Sequence, residues 1–305
     1  MNAPPSGEQF EIAHGGQRAT VVEVGGGVRE YAVGGREVLH PYPLEAICDG
    51  GHGAVLIPWP NRLADGRYSF EGTDYQLPLT EPGKRNAIHG LLRWRNWRPR
   101  ERSSERVTMG IRLYPMTGWP FALDVTVTYS LSSDGLTVET RASNLGDRPC
   151  PFGAGQHPYL SPGNDQLVDD CILQLRARTR ILTDPDRQLP VGKEPVAGTL
   201  FDFSAPRPIG KAAIDDPFTD LERDSEGRAW VRLAGPDGAT VELWSDEAYP
   251  VAQLYTGHTL TPARRRRGLA AEPMTCPPNA LRSGELIMRL EPGETHVCRW
   301  GVRLA

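Results

Sequence analysis

The chain has 305 residues, 39% hydrophobic and 24% charged, a balance that suits one large globular domain over residues 1–305 and excludes a disordered chain. Its 34 Lys and Arg stand against 38 Asp and Glu, so the net charge of -4 supplies no general attraction for nucleic acid or an anionic membrane. No run approaches the ~18 apolar residues of a membrane-spanning helix, and the five cysteines, nowhere spaced C-x-x-C, suggest neither a disulfide framework nor a zinc knuckle.

The first segment, Met1 to Gly15, has two prolines, two acidic residues and no continuous apolar stretch, unlike a secretory signal or a transit peptide. With the scattered thiols, read as small buried hydrophobes, this points to a reducing cytoplasm. Next comes Ile57-Pro58-Trp59-Pro60-Asn61-Arg62-Leu63, followed by Asp65-Gly66-Arg67-Tyr68. Two prolines stiffen the approach to Arg62, whose rigid fork of donors suits sugar hydroxyls. On its own, the segment reads rather as a surface arginine after a turn. Residues Arg67–Leu77 alternate around Glu71-Gly72 and predict a hairpin.

Asn86-Ala87-Ile88-His89-Gly90-Leu91-Leu92 leads to Trp94 and Trp97. A histidine in such a setting is commonly a satisfied core or loop residue, yet exposed tryptophans are natural stacking surfaces for a pyranose ring. Arg93, Arg95, Arg98 and Arg100 fit either an anion site or a solvated strand edge. Between Phe121 and Asn144, Leu123, Val125, Val127, Tyr129 and Leu131 alternate with polar residues up to Ser133-Asp134-Gly135, and Leu136, Val138 and Thr140 resume the alternation. That pattern predicts a hairpin with an Asp-Gly turn.

In Gly153-Ala154-Gly155-Gln156-His157-Pro158-Tyr159, small residues permit close backbone approach and Pro158 fixes the chain just after His157. An imidazole positioned there can exchange a proton near neutral pH; a histidine bonded to a backbone carbonyl is the alternative. Thr183 to Pro208 is rich in proline and reads as a long excursion between sheets. Asp215 and Asp216, before Pro217, are either acceptors for hydroxyls or turn formers. A third hairpin is predicted at Trp230–Trp244 around Pro236-Asp237-Gly238. The run Arg264-Arg265-Arg266-Arg267 is too short for a nucleic-acid patch and reads as a solvated loop, with an intermolecular salt bridge or a sugar-phosphate contact as weaker options. Glu272, within Leu269-Ala270-Ala271-Glu272-Pro273-Met274-Thr275-Cys276, is a lone carboxylate among small apolar residues. Burial there would raise its pKa toward the range useful to a general base, whereas exposure at a strand end would leave it ordinary. A fourth hairpin is predicted at Leu286–Val302 around Pro292-Gly293.

With 33 Gly and 28 Pro as punctuation and no capped amphipathic helix, these elements predict an all-β fold, a large antiparallel β-sandwich. No phosphate loop, nucleophile elbow, dinucleotide fingerprint or H-E-x-x-H helix is present, so no cofactor is indicated.

In order along the chain, N-R-x-x-x-G-x-Y at 61–68, N-A-I-H-G-L at 86–91, H-P-Y at 157–159, I-D-x-x-F at 214–218 and E-P-M-T at 272–275 resemble the aldose 1-epimerase (galactose mutarotase) family. The resemblance implies a supersandwich of two large sheets with a cleft across one of them, and an isomerase that interconverts the α and β anomers of a free monosaccharide without cofactor or metal. It assigns Glu272 as the base that takes the O1 proton and His157 as the acid that protonates the ring oxygen. His89 would assist at the ring oxygen, while Arg62, Asp215, Asn61 and Tyr159 would bind the sugar. The segments after His89 and Glu272 are closer to the broader bacterial relatives than to dedicated galactose enzymes. A hexose-6-phosphate 1-epimerase, a non-catalytic sugar-binding module and a metal site on His89, His157 and Glu272 are the rival expectations. Monomer and homodimer are both compatible with the chain.

Overall fold

A computed structural model describes residues 3–305 of the chain. Strands form two large sheets, one of twelve strands and one of nine, with three two-stranded ladders beside them. The α-helical segment Ala280–Ser283 has only four residues. No helix among the described residues is long and apolar enough to cross a membrane.

The nine-stranded sheet is built on long, regular strands. Leu123–Ser132, Gly135–Asn144 and Thr295–Leu304 each have ten residues and pair antiparallel without a register shift. Leu123, Val125, Val127, Tyr129 and Leu131 are all buried, as the two-residue period requires when one face packs inward. The turn differs from the expected form: Ser132 pairs with Gly135, and Gly135 alone takes a positive φ, of 101°. At Glu71-Gly72 both φ values are positive, 51° and 77°, as a two-residue primed turn between Arg67–Phe70 and Thr73–Gln76 demands. The hairpin Ala229–Ala234 with Thr240–Ser245 forms as expected.

The fourth predicted hairpin does not form. Met288–Leu290 pairs with Cys150–Phe152, whereas Thr295–Leu304 lies between Gly135–Asn144 and Thr240–Ser245. Both hydrogen-bonding edges of Thr295–Leu304 are therefore taken by distant segments, a choice that local turn chemistry does not control. The excursion Thr183–Pro208 carries two short strands. Pro190–Pro195 closes one edge of the twelve-stranded sheet, and Arg207–Pro208 closes an edge of the nine-stranded one. Prolines are tolerated at edges because no further strand needs their missing N–H.

The middle of the twelve-stranded sheet runs Arg36–Leu39, Tyr159–Leu160, Leu269–Met274, Val251–Tyr255 and Asp215–Leu221, and Gly155–Gln156 also pairs with Leu269–Met274. Several of these strands are short and interrupted by polar residues. A contiguous core from Phe10 to Val302 draws on both sheets, with Val38, Leu254 and Ala271 from one and Val127, Leu243 and Trp300 from the other. Four cysteines are buried, Cys48 is half-buried, and all five are free thiols.

Candidate active site

Leu269–Met274 is central in its sheet and buried along its whole length. Its alternation sends Leu269 and Ala271 into the main core, whereas Ala270 packs with Tyr159 and Tyr255 on the opposite face. Glu272, two residues on from Ala270, shares that second face and is 2% exposed. It lines a cleft of about 360 Å³ together with His157, His89, Arg62 and Asp215. The site residues expected from five separate segments therefore meet in one place.

His157 Nε2 lies 3.3 Å from Glu272 Oε1, and His157 is 5% exposed. Two backbone hydrogen bonds hold the segment: His157 N–H donates to the Ala54 carbonyl at 3.0 Å, and Gly53 N–H donates to the His157 carbonyl at 2.9 Å. The ring is placed by stacking on Tyr159, with centroids 5.1 Å apart and planes 18° apart. Tyr159 is in turn stacked on His52 at 3.7 Å, and its hydroxyl donates to the Gly50 carbonyl at 2.6 Å. Tyr159 thus presents a ring face to the imidazole while its hydroxyl is held by the protein. Gly51 leaves the space the imidazole needs: a Cβ there would stand 2.6 Å from His157 Cδ2.

His89 stands edge-on to His157, with centroids 5.3 Å apart. The Asn61 N–H donates to His89 Nδ1 at 3.2 Å, and His89 N–H donates to the Asn61 carbonyl at 2.9 Å, which laces the two loops together. With Nδ1 accepting, the proton of the neutral ring sits on Nε2. Arg62 grips Glu81 in a two-point ion pair, Nε to Oε2 at 2.9 Å and Nη2 to Oε1 at 3.0 Å, and its Nη1 has no partner among the described residues. Asp215 accepts from Gln253 Nε2 at 2.8 Å and from Gln188. Asn61 uses its side-chain oxygen to accept from the Arg62 N–H at 2.8 Å, and its amide nitrogen faces Gln253 Oε1 at 3.5 Å.

Burial, and after it the charge of Asp215, pushes the Glu272 carboxyl well above the usual carboxylate range, against the opposing pull of Arg62. Burial lowers His157 to about 3, a hydrogen bond to its own backbone opposing and the Arg93 and Arg62 charges adding to the effect. His89 is held well below the usual imidazole range by burial and then by His157, Arg93 and Arg62. A dry site penalises each charged form, and at 3.3 Å the carboxyl and the imidazole can share one proton between them. Donor atoms of His89, His157 and Glu272 lie within 4.8 Å of one another, a spacing that a divalent cation could also bridge.

Two expectations need correction. Trp97 is fully buried and its indole N–H donates to the Leu92 carbonyl at 3.2 Å, so it offers no stacking surface; Trp94 is 47% exposed and carries the Arg93 guanidinium over its ring at 5.1 Å. The Arg264–Arg267 run is not simply a solvated loop, because folding supplies carboxylates for three of its members. Arg264 pairs with Asp49, Arg266 pairs with Asp169 and donates to the Gly210 carbonyl at 2.7 Å, and Arg267 lies 3.9 Å from Asp165.

Sequence reasoning missed Gln253, Glu81, Lys84, Gln188 and the placement of Arg93. Gln253 alone carried a signal, as a polar residue inside the apolar strand Val251–Tyr255; it pairs directly across from Glu272.

The aldose 1-epimerase family model matches residues 8–300. An uncharacterized protein, YihR, of Escherichia coli K12 is 37% identical over 95% of this chain and 91% of its own length. The aldose 1-epimerase of the same organism is 29% identical over 80% of this chain and 77% of its own. The crystal structure of an aldose epimerase homologue from C. elegans superposes with a TM-score of 0.86 at 19% identity, covering 98% of each chain. The fold agrees with the sandwich expected from alternation, and the chain belongs to the aldose 1-epimerase family.

Proposed function

We propose that the protein interconverts the α and β anomers of a free aldose by proton transfer between His157, Glu272 and the sugar. The observation that carries this reading is the buried His157–Glu272 pair, 3.3 Å apart on the wall of the cleft. Ring opening requires a base for the O1 proton and an acid for the ring oxygen. As the C1–O5 bond breaks and C1 becomes a carbonyl, one proton leaves O1 and another arrives on O5. A pair that holds one proton in total meets that need, provided the proton resides on the member facing O5. With His157 at O5 and Glu272 at O1, rotation about C1–C2 followed by reclosure on the other face reverses the two roles.

His89 contributes an Nε2–H donor toward the ring oxygen. Arg62, fixed by Glu81, aims its remaining N–H groups at hydroxyls, and Asp215, oriented by Gln253, accepts from them. Asn61 serves by fixing His89 and the start of the Arg62 strand, and Tyr159 by setting the plane of the His157 ring. General acid–base catalysis contributes roughly 10²–10⁴-fold per group, and groups acting as a unit do not multiply. Saturation-transfer NMR on α-glucose and α-galactose should show accelerated exchange. Glu272→Gln and His157→Asn, with unchanged circular dichroism, should each lose at least about 10²-fold. Wild-type rates in both variants would sink the proposal, and binding without acceleration would leave only a sugar-binding module.

A further inference from the structure

We propose that Arg93 binds an anionic group on C6 of the sugar, so that the cleft takes acidic aldoses such as hexose 6-phosphates and uronates. This inference rests on anomer exchange at His157 and Glu272.

Three cations line the cleft, Arg62, Lys84 and Arg93. Arg62 is neutralised by its two-point pair with Glu81. Lys84 donates to Gln188, whose amide donates in turn to Asp215, so that ammonium and carboxylate are linked through one side chain. Arg93 is different: its side chain makes no hydrogen bond and no ion pair among the described residues, and its guanidinium lies over the Trp94 ring. After the partners of Arg62 and Lys84 are counted and the Glu272–His157 pair is taken as neutral, the positive charge of Arg93 is left over. A half-buried guanidinium lacks full hydration, and its planar fork matches a carboxylate or phosphate in two-point geometry.

The position of the charge selects the part of the sugar it meets. Arg93 lies close enough to act on both His157 and His89, which stand at the ring oxygen in the proposed reaction. In a pyranose the ring oxygen is bonded to C1 and C5, and C5 carries C6. A substituent on C6 therefore projects on the side of the two histidines. The other concentration of positive charge, Arg264 to Arg267, does not line the cleft, and Arg264 and Arg266 are occupied by Asp49 and Asp169.

The test is kcat/KM for anomer exchange on glucose, glucose 6-phosphate and glucuronate at fixed ionic strength, by saturation-transfer NMR. The wild type should favour at least one acidic sugar over glucose by tenfold or more, and the better of the two identifies phosphate or carboxylate as the group bound. In Arg93→Gln the ratio of acidic to neutral kcat/KM should fall at least tenfold, and in Arg93→Lys by less. The wild-type preference decides the matter should Arg93→Gln fail to fold. A wild type as fast on glucose as on both acidic sugars, or an unchanged ratio in both variants, overturns the inference and leaves anomer exchange standing. A protein silent on all three sugars overturns both.

Discussion

The two large sheets of this protein are made of the same kinds of residue but organised in opposite ways. In the nine-stranded sheet, three ten-residue strands pair in unbroken register and bury one side chain in two. In the middle of the twelve-stranded sheet, strands as short as Gly155–Gln156 and Tyr159–Leu160 alternate with loops, and buried polar groups such as Gln156, His157, Gln253 and Glu272 replace apolar ones. The regular sheet is a platform, and the broken one exchanges regularity for a cleft. Burying His157 and Glu272 costs stability, because a dry site disfavours charge, and it displaces both titrations from their ordinary ranges.

The contrast is broken most sharply at Gly51. Gly51→Ala drives a methyl group into the His157 ring, and a displacement of about 1 Å in a reacting group costs on the order of 10²-fold in rate. The expected result is a loss of that size in kcat together with a lowered thermal midpoint, because Gly51 has a φ of 75° that strains any other residue; an unchanged kcat in the folded variant would show that the imidazole position is not critical. The complementary change lies on the platform. Met109 is fully buried opposite Val127, and Met109→Ala should destabilise by about 2–5 kcal/mol in urea unfolding. Activity per folded molecule should remain that of the wild type; a selective loss of kcat would show that the platform is coupled to the cleft.

Smaller effects are expected from pH. With the folded value of His157 lowered to about 3, the unfolded chain binds that proton first as pH falls through about 6.5, so acidification from there to about 3 destabilises the fold. Glu272 acts in the opposite sense: its raised folded value means that the native state holds a proton the unfolded chain has released, so its contribution weakens as pH rises above the ordinary carboxylate range. Unfolding free energies of His157→Asn across the acid range, and of Glu272→Gln across the neutral range, should each show a flatter dependence than the wild type. Equal slopes would mean that the pair is not buried as the structure has it.

Much of this was legible in the sequence. The hairpin from Leu123 to Asn144 was visible because alternation and turn chemistry are local, and the same locality misled at Leu286–Val302, where two distant strands took the edges of Thr295–Leu304. His157 and Glu272 stood out because each is polar in a context of Gly, Pro and small apolar residues. Gln253 was visible in principle. Glu81, Lys84 and Gln188 lie in polar surroundings that resemble any surface loop, so nothing marked them.

The amino-acid sequence by itself determined the strand content, the absence of long helices, and the residue types able to move a proton. Those properties follow from period, punctuation and side-chain chemistry, each readable within a few residues. The tertiary structure alone decided which charges are cancelled and which are left over. Arg264 and Arg266 are consumed by Asp49 and Asp169, some 215 and 97 positions away, whereas Arg93, one of four similarly spaced arginines, is the one turned to the cleft. Coulomb pairing depends on distance in space, and a one-dimensional pattern carries no such distance.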